Sequence, residues 1–88
     1  MNYRVFWYPT AERLLDAILA GATESEKIAS AAEEIDRQLA NSPFNFGESR
    51  AQLVRIGFVN PLAVEFEILR DVSTVMVFNV WRTDLSGK

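Results

Sequence analysis

The side chains of this sequence that could do chemistry are arginines and carboxylates: Arg50, Arg55 and Arg82, with Glu65 and Glu67 between them. Such groups suit cleavage of a phosphodiester by its own 2′-hydroxyl. A base takes the hydroxyl proton, positive charge stabilises the equatorial oxygens, and an acid protonates the leaving oxygen. Glu65 or Glu67 is the candidate base and Arg55 and Arg82 the candidate charge stabilisers. The missing residue types narrow the field further. With no Cys and no His, Ser-His-Asp and Cys-His nucleophiles and thiolate zinc sites are excluded, and the usual neutral-pH proton shuttle is absent. Glu33, Glu34 and Asp36 read as a solvated helix face, because carboxylates at these spacings converge poorly on a cation. No metal and no cofactor is expected.

Each candidate also has a plainer reading. An Arg opposite a Glu on a wet sheet face is most often an exposed ion pair worth roughly 0–1 kcal/mol. Arg82 equally serves as a solubilising charge at a strand end, and Arg70 beside Asp71 as a solvated turn charge. Nine Lys and Arg against twelve Asp and Glu give a net charge of −3, so the chain lacks the positive excess that drives non-specific phosphate binding. Any nucleic-acid contact must rest on a local patch.

The elements that must position these groups follow from hydropathy. The 88 residues suffice for one domain spanning 1–88, since a second core would need roughly 50 more. Apolar residues make up 49%, including six Phe, two Trp and two Tyr, which argues against disorder. The N-terminal stretch is too short and aromatic for a signal peptide, and no apolar run approaches the ~18 residues of a membrane span. A cytoplasmic protein with no membrane contact is expected.

Residues 2–8 alternate as a first strand, stopped by Pro9. Thr10 is a plausible N-cap for a helix carrying Ala11, Leu14, Leu15 and Ile18, with Gly21 suited to a left-handed C-cap. Thr23-Glu24-Ser25-Glu26 has capping-box form. The helix it opens carries Ile28, Ala32, Ile35 and Leu39 on one face and ends near Asn41. Residues 42–49 read as a loop with Phe44 and Phe46 as anchors or as part of a sticky surface. Strands follow over Ala51–Phe58, from Leu62 to Ile68, and from Val75 to the polar tail at Thr83–Lys88. Val54, Ile56 and Phe58 are expected to face the helices, leaving Arg55 on the open face with Glu65 and Glu67. The closing strand is apolar in both phases, as a central strand would be. Met76, Phe78, Val80 and Trp81 form a candidate partner-binding surface, with Arg82 in phase with Met76, Phe78 and Val80. The fold class is α+β, in the order β-α-α-β-β-β, with an antiparallel sheet and a helical hairpin on one face.

This order resembles the RelE/ParE superfamily of toxins from bacterial type II toxin–antitoxin modules. The resemblance rests on Tyr3-Arg4-Val5 leading through Trp7-Tyr8-Pro9 to an Ala-rich helix, then Ile35-Asp36 and Leu39 before Pro43 and Gly47. It continues through Arg50, Arg55, the strand Pro61–Ile68, the Asp71 turn and the closing strand to Arg82. It implies a plasmid-stabilisation type of toxin held by a cognate antitoxin that wraps it, acting on gyrase or on mRNA in the ribosome. In the cleaving branch it implies catalysis on the sheet face away from the helices, with Arg50, Arg55 and Arg82 as the basic residues that contact nucleic acid or phosphate. The sequence departs from that branch in two places: an expected arginine early in the third strand corresponds to about Ala63, and no His or Tyr follows Arg82. The resulting expectation is a toxin-like protein that binds an antitoxin and a cellular target. The alternatives are a ribosome-dependent mRNA endonuclease and a non-toxic, self-associating relative that forms a homodimer.

Overall fold

The computed structural model describes residues 2–84. The part of the expected polar tail beyond Asp84 lies outside the described residues. The elements run β1 (Arg4–Trp7), α1 (Pro9–Gly21), α2 (Ser25–Asn41), β2 (Glu48–Ala51), β3 (Val54–Val59), β4 (Leu62–Leu69) and β5 (Thr74–Arg82), with short 3-10 turns at Pro43–Asn45 and Arg70–Val72. The five strands make one sheet in the order β1-β5-β4-β3-β2. Its β2-β3, β3-β4 and β4-β5 pairs are antiparallel, whereas β1 runs parallel to β5. The sheet is therefore mixed rather than wholly antiparallel. The helical hairpin and three strands separate β1 from β5, which gives the long connection that a parallel pair requires.

Both helices start differently from expectation. Proline at the first position of α1 surrenders an amide that has no intrahelical partner, so the helix begins at Pro9 and not after Thr10. Gly21 stays inside α1. The chain leaves the helix through Ala22 in an extended conformation, its amide donating to the carbonyl of Leu19 at 3.3 Å. The Thr23–Glu26 capping box does not form: α2 starts at Ser25 behind Glu24, whose side chain makes no capping bond. The apolar stripe of α2 is as expected, with Ile28, Ala32, Ile35 and Leu39 buried and Ala31 beside them.

The loop predicted over 42–49 contains an edge strand. Residues 48–59 fold as a β2-β3 hairpin turning through Gln52, whose φ is +51°. The positive φ falls on a residue that announces no turn, so the start of β2 reads as loop and the strand expected from Ala51 runs straight through the turn. Phe46 goes inward, is 8% exposed, and stacks on Phe66 with ring centroids 5.8 Å apart. Phe44 stays at the surface, edge-on to Tyr3 and beneath the Arg70 guanidinium at 5.0 Å. Arg70 is thus a cation–π partner rather than a free turn charge.

The core lies between the helices and one sheet face, which presents Leu62, Val64, Phe66 and Ile68 of β4 with Val75, Val77 and Val80 of β5. Val5 and Trp7 of β1 pack against it, and the Trp7 indole Nε1–H donates to Asp36 Oδ1 at 2.8 Å. Among the described residues no helix is long and apolar enough to cross a membrane.

Candidate functional site

Strand register assigns every sheet residue to a face, because residues directly opposite one another point to the same side. On the helix side, one row runs Ser49, Arg55, Phe66, Val77, Trp7, and another runs Gly57, Val64, Val80. The open side carries the row Glu48, Ile56, Glu65, Asn79; the row Val54, Glu67, Met76, Phe6; and the row Phe58, Ala63, Trp81. This reverses the expectation for β3. Val54, Ile56 and Phe58 face away from the helices, and Arg55 lies on the side opposite to Glu65 and Glu67.

The reason is local. The inward phase of β3 holds Arg55 and Gly57, and each is completed by the segment before β2. A Cβ on Gly57 would run into the Phe46 ring, so the absent side chain makes the space that Phe46 fills. Arg55 donates through Nε to the carbonyl of Phe46 at 3.1 Å and through Nη2 to that of Gly47 at 2.7 Å. Two directions of its guanidinium are occupied by the chain's own backbone.

A bulge decides the faces of β5. Phe66 pairs with Val77 and Glu65 with Asn79, leaving Phe78 as the extra residue. From there onward the alternation is reset. Met76 and Trp81 belong to the open face, Phe78 is half-buried at the bulge, and Val80 is in the core at 2% exposure. The four residues expected to form one partner-binding surface are thus divided, and Val80 is inaccessible to a partner. Asn79 secures the bulge: its Oδ1 accepts from the Val80 amide at 2.9 Å, and its Nδ2 donates to Glu65 Oε1 at 3.4 Å.

Arg82, opposite Leu62, sits beyond the reset and so on the helix side, not in phase with Met76. It borders an apolar groove lined by Leu14, Ile18 and Val80. Its Nε and Nη2 both donate to the Asp84 carboxylate at 2.8 Å. This forked hydrogen bond, aided by the opposite charge and opposed by partial desolvation, raises the Arg82 value further and holds the Asp84 carboxyl below its usual range. Arg50 is the irregular residue of β2, exposed between Ser49 and Ala51. The structure therefore brings Arg50, Arg55, Arg82 and Glu65 to separate places: an outer edge, a loop clamp, a strand end and the open face.

What does converge on the open face is apolar surface around carboxylates. Phe58 is 57% and Phe6 53% exposed, while Ala63 is fully buried between its cross-strand neighbours Phe58 and Trp81 although it lies outside the core cluster. Glu65 and Glu67 stand two residues apart on β4, ~7 Å along the strand, and neither makes an ion pair among the described residues. Arg4, at the outer edge beside Thr74, lies on this face as well. Sequence reasoning did not single out Phe58, Phe6 or Asn79. The alternation of β3 was visible, but which of its phases was inward was not.

No family model and no curated protein matches the chain. Among solved structures it is similar to a chain of the RelBE2 toxin–antitoxin complex from Mycobacterium tuberculosis, with a TM-score of 0.78 and 18% identity over 96% of this chain and 95% of that one. It is also similar to a chain of the chromosomal ParDE system from P. aeruginosa, with a TM-score of 0.71 and 18% identity over 93% and 97% of the two chains. The isolated E. coli RelE toxin aligns with a TM-score of 0.68 and 12% identity over 97% and 88%. The fold is RelE/ParE-like: α+β, with two helices on one side of a mostly antiparallel five-stranded sheet.

Proposed function

We propose that this chain is a cytoplasmic, toxin-like component of a bacterial toxin–antitoxin module that acts by binding proteins, an antitoxin and a cellular target such as gyrase, rather than by cutting RNA. The observation that carries this reading is the character of the open sheet face. Phosphoryl transfer needs cations aimed at the developing charge. Here Glu65 and Glu67 occupy the middle rows of the face with Ala63 in the row beside them, and Arg55 and Arg82 are engaged elsewhere by backbone carbonyls and Asp84. Carboxylates without neighbouring cations repel a polyanion, whereas apolar side chains around them suit a protein partner. The fold supports an antitoxin as that partner, since the RelBE2 and ParDE structures are toxin–antitoxin systems.

The reading is tested by inducible expression in a bacterial host, alone and with the product of the adjacent gene. Growth arrest relieved by the neighbour is expected. Primer extension on ribosome-bound message, performed in the arrested cells, should show no new 5′ ends. New ends that vanish in the Arg55→Gln and Arg82→Gln variants would overturn it in favour of an mRNA endonuclease. Normal growth with a stable homodimer by sedimentation would favour a self-associating relative that has lost toxicity.

A further inference from the structure

We infer that the open sheet face is a docking surface for an amphipathic protein segment that carries Lys or Arg: cationic side chains over Glu65 and Glu67, and apolar ones over Phe58, Trp81 and Met76. The inference deepens the protein-binding reading by stating the chemistry of the occupant, and rests on that reading only for the occupant's biological identity.

Register alone assembles the surface. Three rows of the sheet place Phe58, Ile56, Val54, Met76, Trp81 and Phe6 around the carboxylates of Glu48, Glu65 and Glu67. Arg4 at the far edge is the counterweight, so the face as a whole is negative. Phe58 and Phe6 are too exposed to be core, and with the half-buried Val54, Ile56, Met76 and Trp81 they are too close together to be scattered surface residues. A groove lined by Arg4, Phe6, Thr74 and Met76 continues the apolar surface toward the β1 edge. The bulge at Phe78 adds to it, since it resets β5 and sets Trp81 beside Ala63, while Asn79 holds Glu65 by a single weak bond.

Charge selects among occupants. A nucleic acid would bring phosphates onto carboxylates. A second copy docking through the same patch about a two-fold axis would bring two faces of the same negative charge together, and like charges in a closing apolar interface are unfavourable. A segment with cationic side chains gains on both counts. It buries apolar area and neutralises carboxylates that the described residues leave without an ion pair.

The probe is a pair of labelled helical peptides of about 16 residues, with one shared Leu/Ile stripe and either Lys or Glu along its margins. Binding to the full chain is followed by fluorescence anisotropy. The Lys peptide should bind at least about tenfold more tightly than the Glu peptide, and its affinity should fall as salt rises from about 0.02 to 0.3 M. The Glu65→Gln/Glu67→Gln variant should lose about tenfold in affinity for the Lys peptide, and Phe58→Ser should weaken both charge forms. The Glu26→Gln/Glu33→Gln variant, with the same change in net charge on exposed positions of α2, should bind like the parent. Equal binding of the two peptides, no binding, or equal loss in the helix and sheet variants would overturn the inference. So would a dimer in sedimentation that Phe58→Lys dissociates. Peptide selectivity without growth arrest would leave the docking chemistry standing and refute the toxin reading, whereas arrest without peptide selectivity would do the reverse.

Discussion

Arg55 and Gly57 sit two positions apart on β3 and show why a residue's type does not by itself give its role. Both point inward, where neither would be placed by hydropathy: one is charged and the other has no side chain. Gly57 leaves a gap sized for the Phe46 ring, so Gly57→Ala forces that ring or the strand to move and should destabilise the protein by about 1–3 kcal/mol. Combining it with Phe46→Leu should cost less than the sum of the two, measured as a double-mutant cycle in urea unfolding; simple additivity would mean that the ring is not the obstacle. Asp84 supplies a pH signature. Its carboxyl is lowered first by the hydrogen bond from Arg82, so the folded state binds its proton less readily than the unfolded chain does. The associated stability is present above the unfolded value of about 4 and lost as pH falls through the folded one. Asp84→Asn should remove that part of the acid dependence in a series of urea midpoints, and an unchanged acid limb would exclude the pair as its source.

At the level of elements, hydropathy located α1, α2, β4 and β5 because each has a periodic or continuous apolar run long enough to outweigh local irregularity. It did not locate the β2-β3 turn, since Gln52 adopts a positive φ without being Gly, Asn or Asp, nor the parallel placement of β1, which no local pattern encodes. The faces of β5 were illegible for a sharper reason. A bulge adds one residue and so exchanges the phases of everything after it, turning an apparent stripe of Met76, Phe78, Val80 and Arg82 into residues on different sides. Asn79 stabilises the exchange by accepting from the Val80 amide. Asn79→Ala should therefore lose about 1 kcal/mol, with hydrogen exchange accelerated first at Val80; unaltered exchange there would show that the bulge holds without its side-chain bond. At α2 the missing capping bond is an opening for stabilisation. Glu24→Asp places a shorter carboxylate at the N-cap and should raise stability by about 0.5–1 kcal/mol, read as a higher melting temperature.

Across the whole molecule, the sheet order joins the two ends of the sequence, because β1 is hydrogen-bonded to β5 with the helical hairpin and three strands between them. That pairing alone is non-local, since β2-β3, β3-β4 and β4-β5 join strands consecutive in the sequence. β5 has to arrive before β1 gains a partner, and of the three strands with neighbours on both sides, β3, β4 and β5, the last two carry the most deeply buried side chains of the sheet. β2 is the contrary case: four exposed residues at an outer edge, paired on one side and interrupted at Arg50. Local opening of β2 breaks one ladder and exposes little apolar area, whereas opening β4 or β5 dismantles the core. Native-state hydrogen exchange should therefore separate the two groups. Amides of Val64, Phe66, Val75 and Val77 should exchange only through global unfolding, with a dependence on denaturant equal to that of the equilibrium transition. Those of β2 should exchange much faster and with little dependence on denaturant. If β2 amides were as slow as those of β4, the hairpin would be part of the cooperative core, and the Arg55 clamp would have to account for that stability.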